Sequence, residues 1–362
     1  MSKKTVIIGM SGGVDSSVAS LLLKKQGYKV IGAFMKNFSD SKNKLTGECL
    51  WLQDKKDAQK IASLLKIPLV TFDFEKEYKK QVIEPMFKAY SQGLTPNPDI
   101  QCNLIIKFPL FWNYAKKLGA DYIAMGHYAK IRKNKKKFQL LAGKDKNKDQ
   151  SYFLYSLTQE DLSRTLFPIG NYTKEQVRKI AKKNHFPNYD KPGTKGICFV
   201  GKVNMKSFLE KKIKQKQGKV LSPEGNIIGT HPGISYYTIG QRIGSHIGIE
   251  ITKPKGKEQS KWYIAEKRKN NVLIAAPENH PILKKKLVII KSLHLINPQE
   301  KIPSQLVARI RHLGQLYKGK LKKQNNKYIF TFSKPVSSIA EGQSLVLYRK
   351  NQVIGGGEIR LK

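Results

Sequence analysis

Over roughly the first 130 residues, short apolar runs alternate with amphipathic stretches. Val6-Ile7-Ile8 is a continuous apolar run of the kind that fills a buried strand, and Ser17–Leu23 has the spacing of a helix. Gln26-Gly27 is a helix stop, and Lys29–Phe34 predicts a second strand. Asp54–Lys66 predicts an amphipathic helix ended by Pro68, Leu69–Phe72 a third strand, and Glu75–Tyr90 a helix. Ile105–Leu118 predicts a further helix stopped by Gly119, and Tyr122–Met125 a strand opening into Gly126-His127-Tyr128. Alternation of this kind predicts an α/β domain with a parallel sheet and ligands at the strand C-termini.

The pattern then changes. Lys130–Arg132 and Phe138–Leu141 predict a hairpin around the basic turn Asn134–Lys137. Thr173–Asn184 predicts a helix capped by Thr173, with Glu175 and Gln176 in its first turn. Pro187–Cys198 is punctuated by Pro and Gly and reads as a long loop, and Asn204–Ile213 as a basic helix. Beyond about residue 218 the helical period is lost. Short strands with Gly, Pro and Asn turns predict two all-β modules, with Pro277–Pro281 as their joint.

Gly9-Met10-Ser11-Gly12-Gly13-Val14-Asp15-Ser16 lies between the first strand and the first helix. Two glycines let backbone approach an anion, and the N–H groups of the turn and helix start then point at it. The stretch lacks the Lys of a nucleotide-hydrolysing P-loop and the Gly-x-Gly-x-x-Gly of a dinucleotide fold. Gly126-His127 ends another strand on the same side, so both stretches can line one pocket.

The cysteines carry the next candidate chemistry. Cys102 follows Thr95-Pro96-Asn97-Pro98-Asp99-Ile100-Gln101. The prolines predict that no helix starts before Asn103, and a helix dipole just beyond would lower the thiol pKa. Asp99 is placed to serve as acid or base. The alternative is a buried cysteine beside a helix-capping Asp. Cys198 lies between Gly196 and Gly201 with Lys195 close by, so it is either a thiolate on a moving loop or an ordinary residue of a short apolar strand. Cys49 has no chemistry around it. Three Cys in 362 residues, with no Cys-x-x-Cys, indicate a reducing compartment and no structural zinc. No apolar run approaches a membrane span.

Net charge is +42, from 68 Lys plus Arg against 26 Asp plus Glu. Such a field draws polyanions. Arg is scarce and Lys dominates, however, which an AT-rich genome also produces, and charge alone does not choose between these. Lys148-Asp149-Gln150-Ser151-Tyr152-Phe153 suits either RNA stacking or a helix start. Basic clusters at Lys211–Lys219, Lys284–Lys286 and Lys318–Lys323 suit a phosphate track or plain solvation.

Taken together, Gly9–Ser16, Phe34-Met35-Lys36-Asn37, Thr95–Asn103, Gly126-His127-Tyr128, Lys148–Tyr155, Gly196–Gly201, Thr238-Ile239-Gly240-Gln241-Arg242 and Gly355-Gly356-Gly357 stand in one order. In that order and spacing the chain resembles the bacterial tRNA-specific 2-thiouridylases, within the wider class of ATP pyrophosphatases. The resemblance runs from about residue 4 to the end. It implies a pyrophosphatase domain over residues 1–203 resembling the adenine nucleotide α hydrolases and including the Cys198 loop, a small mainly-β domain over 204–277, and a tRNA-binding β-barrel over 278–362.

The implied activity is ATP-dependent 2-thiolation of the wobble uridine of tRNA for Lys, Glu and Gln. Carried over, Gly9, Met10, Ser11, Gly12, Gly13, Val14, Asp15, Ser16, Met35 and Gly126 would bind ATP, with Mg²⁺ screening its phosphates. Asn97, Pro98 and Asp99 would hold the target base. Cys102 would be the nucleophile, Cys198 the persulfide carrier, and Asp99 a proton shuttle. The two cysteines would end as a disulfide to be reduced. His127, Lys148, Asp149, Gln150, Arg311, His312 and Gln343 would contact tRNA. A cysteine desulfurase or a relay protein would supply the sulfur to a cytoplasmic monomer. The family often has Ser-Thr-Gly-Ile-Cys where this chain has Thr194-Lys195-Gly196-Ile197-Cys198, and often an aromatic at His312. Competing readings are an ammonia-using synthetase, which would not need either cysteine, and a tRNA-binding sulfur carrier without ATP chemistry.

Overall fold

The computed structural model describes residues 3–39, 49–193, 200, 204–252, 260–303 and 305–361. The N-terminal region is built on β1 (Thr5–Gly9), β2 (Lys29–Lys36), β3 (Leu69–Asp73) and β4 (Tyr122–Ala124), followed by β5 (Ala129–Asn134), β6 (Lys137–Ala142) and β7 (Thr165–Leu166). The order β3-β2-β1-β4-β7 is parallel throughout. It puts β1 and β4 side by side, so their C-terminal ends open on one crevice. Val6, Ile7 and Ile8 are fully buried, the expected state of a strand covered on both faces. Helices α1 (Val14–Lys25) and α2 (Leu50–Leu64) pack Val18, Ala19, Ala58 and Ile61 against one face.

One local expectation fails in an instructive way. The helix before Cys102 begins at Pro98, not after Asn103. A proline is well placed in the first turn, where its missing N–H has no partner to lose. Asn97 caps this helix, its side-chain oxygen accepting from Ile100 N at 3.3 Å. The helix continues through a widened stretch, Asn103–Leu110, which contains Pro109, and on to Phe111–Lys117. Widening lets the ladder skip the donor that Pro109 lacks.

The central module has β8 (Gly218–Leu221), β9 (Ile227–His231), β10 (Trp262–Arg268) and β11 (Val272–Pro277), in the order β10-β11-β8-β9. The last module has β12 (Lys284–Leu295), β13 (Leu306–Arg309), β14 (Tyr317–Gln324), β15 (Lys327–Ser337), β16 (Ser344–Arg349) and β17 (Gln352–Arg360). They run β12-β15-β14-β13-β16-β17, and β17 pairs back to β12, closing an antiparallel barrel. Val288, Phe330, Phe332 and Leu345 fill it.

The modules are fused rather than strung. The hairpin β5–β6, part of the N-terminal region by sequence, extends the barrel's sheet through pairing of Leu140 with Val353. A single apolar cluster includes Ile7, Phe111, Trp262 and Tyr348, which belong to three different modules. Tyr152 donates its hydroxyl to Ser344 O at 2.8 Å, and Arg309 on β13 donates to Asp149 Oδ2 at 2.6 Å. The Asp149 side chain is 2 % exposed and that of Arg309 14 %. Removing one member of such a pair leaves an uncompensated buried charge. Arg309→Met should therefore lower unfolding stability by about 3 kcal/mol, read by urea denaturation; a loss of a few tenths would mean that water reaches Asp149.

Candidate functional site

The turn after β1 has the geometry of an anion cradle. Gly12 has φ +71°, and a Cβ there would sit 2.2 Å from Asp54 O, so only glycine fits. Gly13 is the N-cap of α1 with no side-chain cap, which leaves the first helical amides turned toward the crevice. Ser11 and Ser16 stand beside them: Ser16 Oγ accepts from Ser11 N at 3.2 Å and donates to Gly13 O at 3.0 Å. Gly126 closes the crevice from β4, where a Cβ would come 3.0 Å from Ser16 N. Met10, Val14 and Met35 keep their side chains buried, so they offer backbone to a ligand. Met35 and Met125 pack against Gly9, where an added Cβ would lie 3.1 and 2.8 Å from them.

Asp15 faces inward. Its carboxylate accepts from Tyr128 Oη at 2.7 Å and from Lys174 Nζ at 2.7 and 2.8 Å. Burial, and then the Asp15 charge, push the Tyr128 hydroxyl well above its usual pKa, so it stays a donor. Asn188, which is 5 % exposed, donates to Gly12 O at 2.9 Å and to Ser17 Oγ at 3.0 Å. Lys191 pairs with Asp54 at 2.8 Å and Asp57 at 2.6 Å. Burial draws the Lys191 pKa down, and the two carboxylates outweigh it, so the net shift is upward. Lys174, Asn188 and Lys191 carry no motif; each is an ordinary residue until tertiary structure brings it 159, 176 and 134 positions back to the loop or its neighbour.

Cys102 is fully buried at the end of the Pro98–Cys102 helix, and Asp99 lies in that helix's first turn. Cys198 and its neighbours Thr194–Phe199 lie outside the described residues, as do Gly201 and Lys202. A cleft of ≈ 280 Å³ opens beside Asn97 and Pro98, lined also by Met86, Leu104, Tyr155 and Glu358. No group of three or more His, Cys, Asp or Glu that could hold a metal occurs among the described residues.

The residues expected at a tRNA surface divide. Lys148 and Arg311 are exposed. Asp149 is buried in its pair with Arg309, also accepting from Gly143 N and Ser151 N at 3.1 Å each. Gln150 accepts from Tyr128 N at 3.0 Å and donates its own N–H to Tyr128 O at 2.9 Å. Gln343 donates to Thr95 O at 3.0 Å. His127 is 7 % exposed, between Phe108 and Phe167, with ring centroids at 6.0 and 5.7 Å. Burial first, then the Lys107 charge, hold its pKa well below the usual value. In this conformation Asp149, Gln150, Gln343 and His127 therefore build the scaffold, because satisfied or aromatic partners already surround them.

His312 stacks on Phe153 with centroids 4.3 Å apart and planes at 34°. In that place it packs as an aromatic side chain would. Burial, and a balance of Asp149 against Arg309 and Lys148, bring its pKa down to about 4.

A profile described as a tRNA methyl transferase HUP domain matches residues 4–202, one described as a tRNA methyl transferase PRC-barrel domain matches 206–276, and an aminomethyltransferase beta-barrel domain matches 285–359. The tRNA-specific 2-thiouridylase MnmA 1 of Geobacillus kaustophilus is 43 % identical over 99 % of this chain and 96 % of its own length. The tRNA-specific 2-thiouridylase MnmA of Blochmanniella floridana is 45 % identical over 98 % of this chain and 96 % of its own. A solved 4-thiouridine synthetase, in an RNA complex with bound ATP, overlaps 57 % of this chain and 49 % of its own at 17 % identity, with a TM-score of 0.38. That overlap is too loose to bear on the assignment.

Two expectations test the site. Gly12→Ala forces backbone against Asp54 O, and nucleotide affinity should fall at least about tenfold in calorimetry; unchanged affinity would show that the loop gives way without consequence. For His312, protonation is opposed in the fold and not in the unfolded chain. Stability present above pH 6.5 should be lost as pH falls toward about 4, and His312→Phe should make that slope shallower in urea titrations. His127 acts in the same sense in both proteins; identical slopes would mean that His312 is already solvated.

Proposed function

Because the chain belongs to the family of tRNA-specific 2-thiouridylases, we propose that it transfers sulfur to C2 of the wobble uridine in tRNA for Lys, Glu and Gln, at the expense of ATP. It is an enzyme of that family, a tRNA-uridine sulfurtransferase. The observation that carries the ATP step is the cradle at Gly12–Ser16, whose glycine geometry, bare helix start and paired hydroxyls suit a pyrophosphate group. Gly9–Ser16, Met35 and Gly126 hold ATP in this reading, with Asp15 acting through Lys174 and Tyr128 to keep the loop in shape. Mg²⁺, bound with the nucleotide, would screen the phosphate charge.

The chemistry follows from uridine itself. Oxide is a poor leaving group, so the C2 oxygen attacks the α-phosphorus and expels pyrophosphate. Adenylated, that oxygen leaves as AMP. A persulfide on Cys198 attacks C2, and AMP departs. Cys102 thiolate then attacks the Cys198 sulfur, the electron pair returns to the sulfur on C2, and 2-thiouridine is released. Cys102 and Cys198 are left as a disulfide, which an external thiol reduces. Asp99 moves the protons, and Asn97 and Pro98 border the flipped base. A cysteine desulfurase or relay protein reloads Cys198. Lys148 and Arg311, with the outward lysines of β14, provide the phosphate contacts, and the three modules keep the bounds 1–203, 204–277 and 278–362. A cytoplasmic monomer suffices for all of this.

Sulfur from a labelled persulfide donor should reach tRNA with a UUN anticodon only with ATP. Cys102→Ser and Cys198→Ser should each lower the label by at least about a hundredfold. Label surviving both changes would require another nucleophile, and ATP cleavage without any label would favour an ammonia-using synthetase.

A further inference from the structure

The irregular segment just before the Cys102 helix is gripped by two other modules at once. On the barrel side, Thr95 N donates to Glu341 O at 2.8 Å, and Gln343 Nε2 donates to Thr95 O at 3.0 Å and Pro96 O at 3.5 Å. Gly342 lies flat against this backbone: a Cβ there would be 2.9 Å from Thr95 N. On the central-module side, Lys267 of β10 sends Nζ to Gly93 O at 2.9 Å. Thr95 Oγ1 donates to Thr238 Oγ1 at 3.4 Å. The two modules also touch each other there, since a Cβ on Gly240 would meet Ser338 at 2.4 Å. Gly93, Thr95 and Pro96 stand within four residues of Asn97, the cap of the helix that ends in Cys102.

Burial costs the charged form of Lys267 enough to bring its pKa down to about 8, with the Glu341 charge opposing that shift. A residue kept at that cost, and spent on a single carbonyl, is holding a position.

We propose that Lys267 and Thr238 of the central module, together with Gln343 of the barrel, are positioning residues that set the Asn97–Cys102 helix, so that the reacting thiol is placed only when both accessory modules are docked. This rests on the thiolation reading for its consequence, although the clamp itself does not. The three contacts fix backbone from two directions, and positional errors of about 1 Å at a reacting group cost on the order of a hundredfold in rate. Gln343, expected at the tRNA surface, then acts on catalysis through Thr95 and Pro96.

Lys267→Met and Thr238→Val remove the donor and the hydroxyl without touching any residue assigned to tRNA. Each should leave the KM for tRNA within about twofold and lower kcat by about tenfold. Hydrogen exchange of the amides of residues 94–102 should be at least about tenfold faster in each variant, with exchange in the barrel unchanged. A raised KM with unchanged kcat would make these residues tRNA contacts, and unchanged exchange at 94–102 in both variants would overturn the clamp. A wild-type protein that shows the exchange difference between itself and the variants but never thiolates tRNA would refute the thiolation reading and leave the clamp standing.

Discussion

The Asp149–Arg309 pair is largely withdrawn from water, and the structure around the crevice at the ends of β1 and β4 hangs from it. Asp149 fixes the turn that presents Gln150, by accepting from Gly143 N and Ser151 N. Gln150 brackets Tyr128 from both sides of its peptide group. Tyr128 in turn reaches Asp15, in the Gly9–Ser16 loop. A barrel strand is thereby linked to the Gly9–Ser16 loop through a short run of hydrogen-bonded, largely buried polar groups. In a low-dielectric interior such a run is rigid, because breaking any one member strands its neighbour.

The same logic explains why a basic protein of this size needs three modules to make one site. The parallel sheet supplies the crevice, but the segment Gly93–Asn97 belongs to none of its strands. The central module and the barrel close on that segment with Lys267, Thr238 and Gln343. The apolar cluster shared by all three modules makes the closure a packed joint rather than a hinge. Net charge of +42 gives the molecule a field that attracts polyanions in general, while the buried contacts hold the modules in place.

Much of this was legible along the chain. The alternation up to Met125 gave the parallel sheet, because a strand buried on both faces must be continuously apolar. The two glycines marked a tight turn between strand and helix, and few residues other than Gly tolerate φ near +71° where another backbone passes within contact. Thr173 and Gln176 gave the capping box that the structure contains. The helix starts at Pro98 and not after Asn103 because a proline forbids helix before itself yet favours its own first turn.

What the sequence alone determined was therefore local or repetitive: strand and helix periods, the glycine turn, the caps, and the ordered motifs that mark the family. Tertiary structure alone decided which polar residues face a ligand and which face one another. Asp149, Gln150, His127 and Gln343 have the composition of an RNA surface, and the fold uses them as internal struts. Lys174, Asn188 and Lys267 look like surface residues, and the fold draws them in to the Gly9–Ser16 loop and the Cys102 segment. The reason is physical: a side chain's role is set by the partners that burial brings within about 3 Å, and partners more than a hundred residues away leave no periodic trace in the sequence.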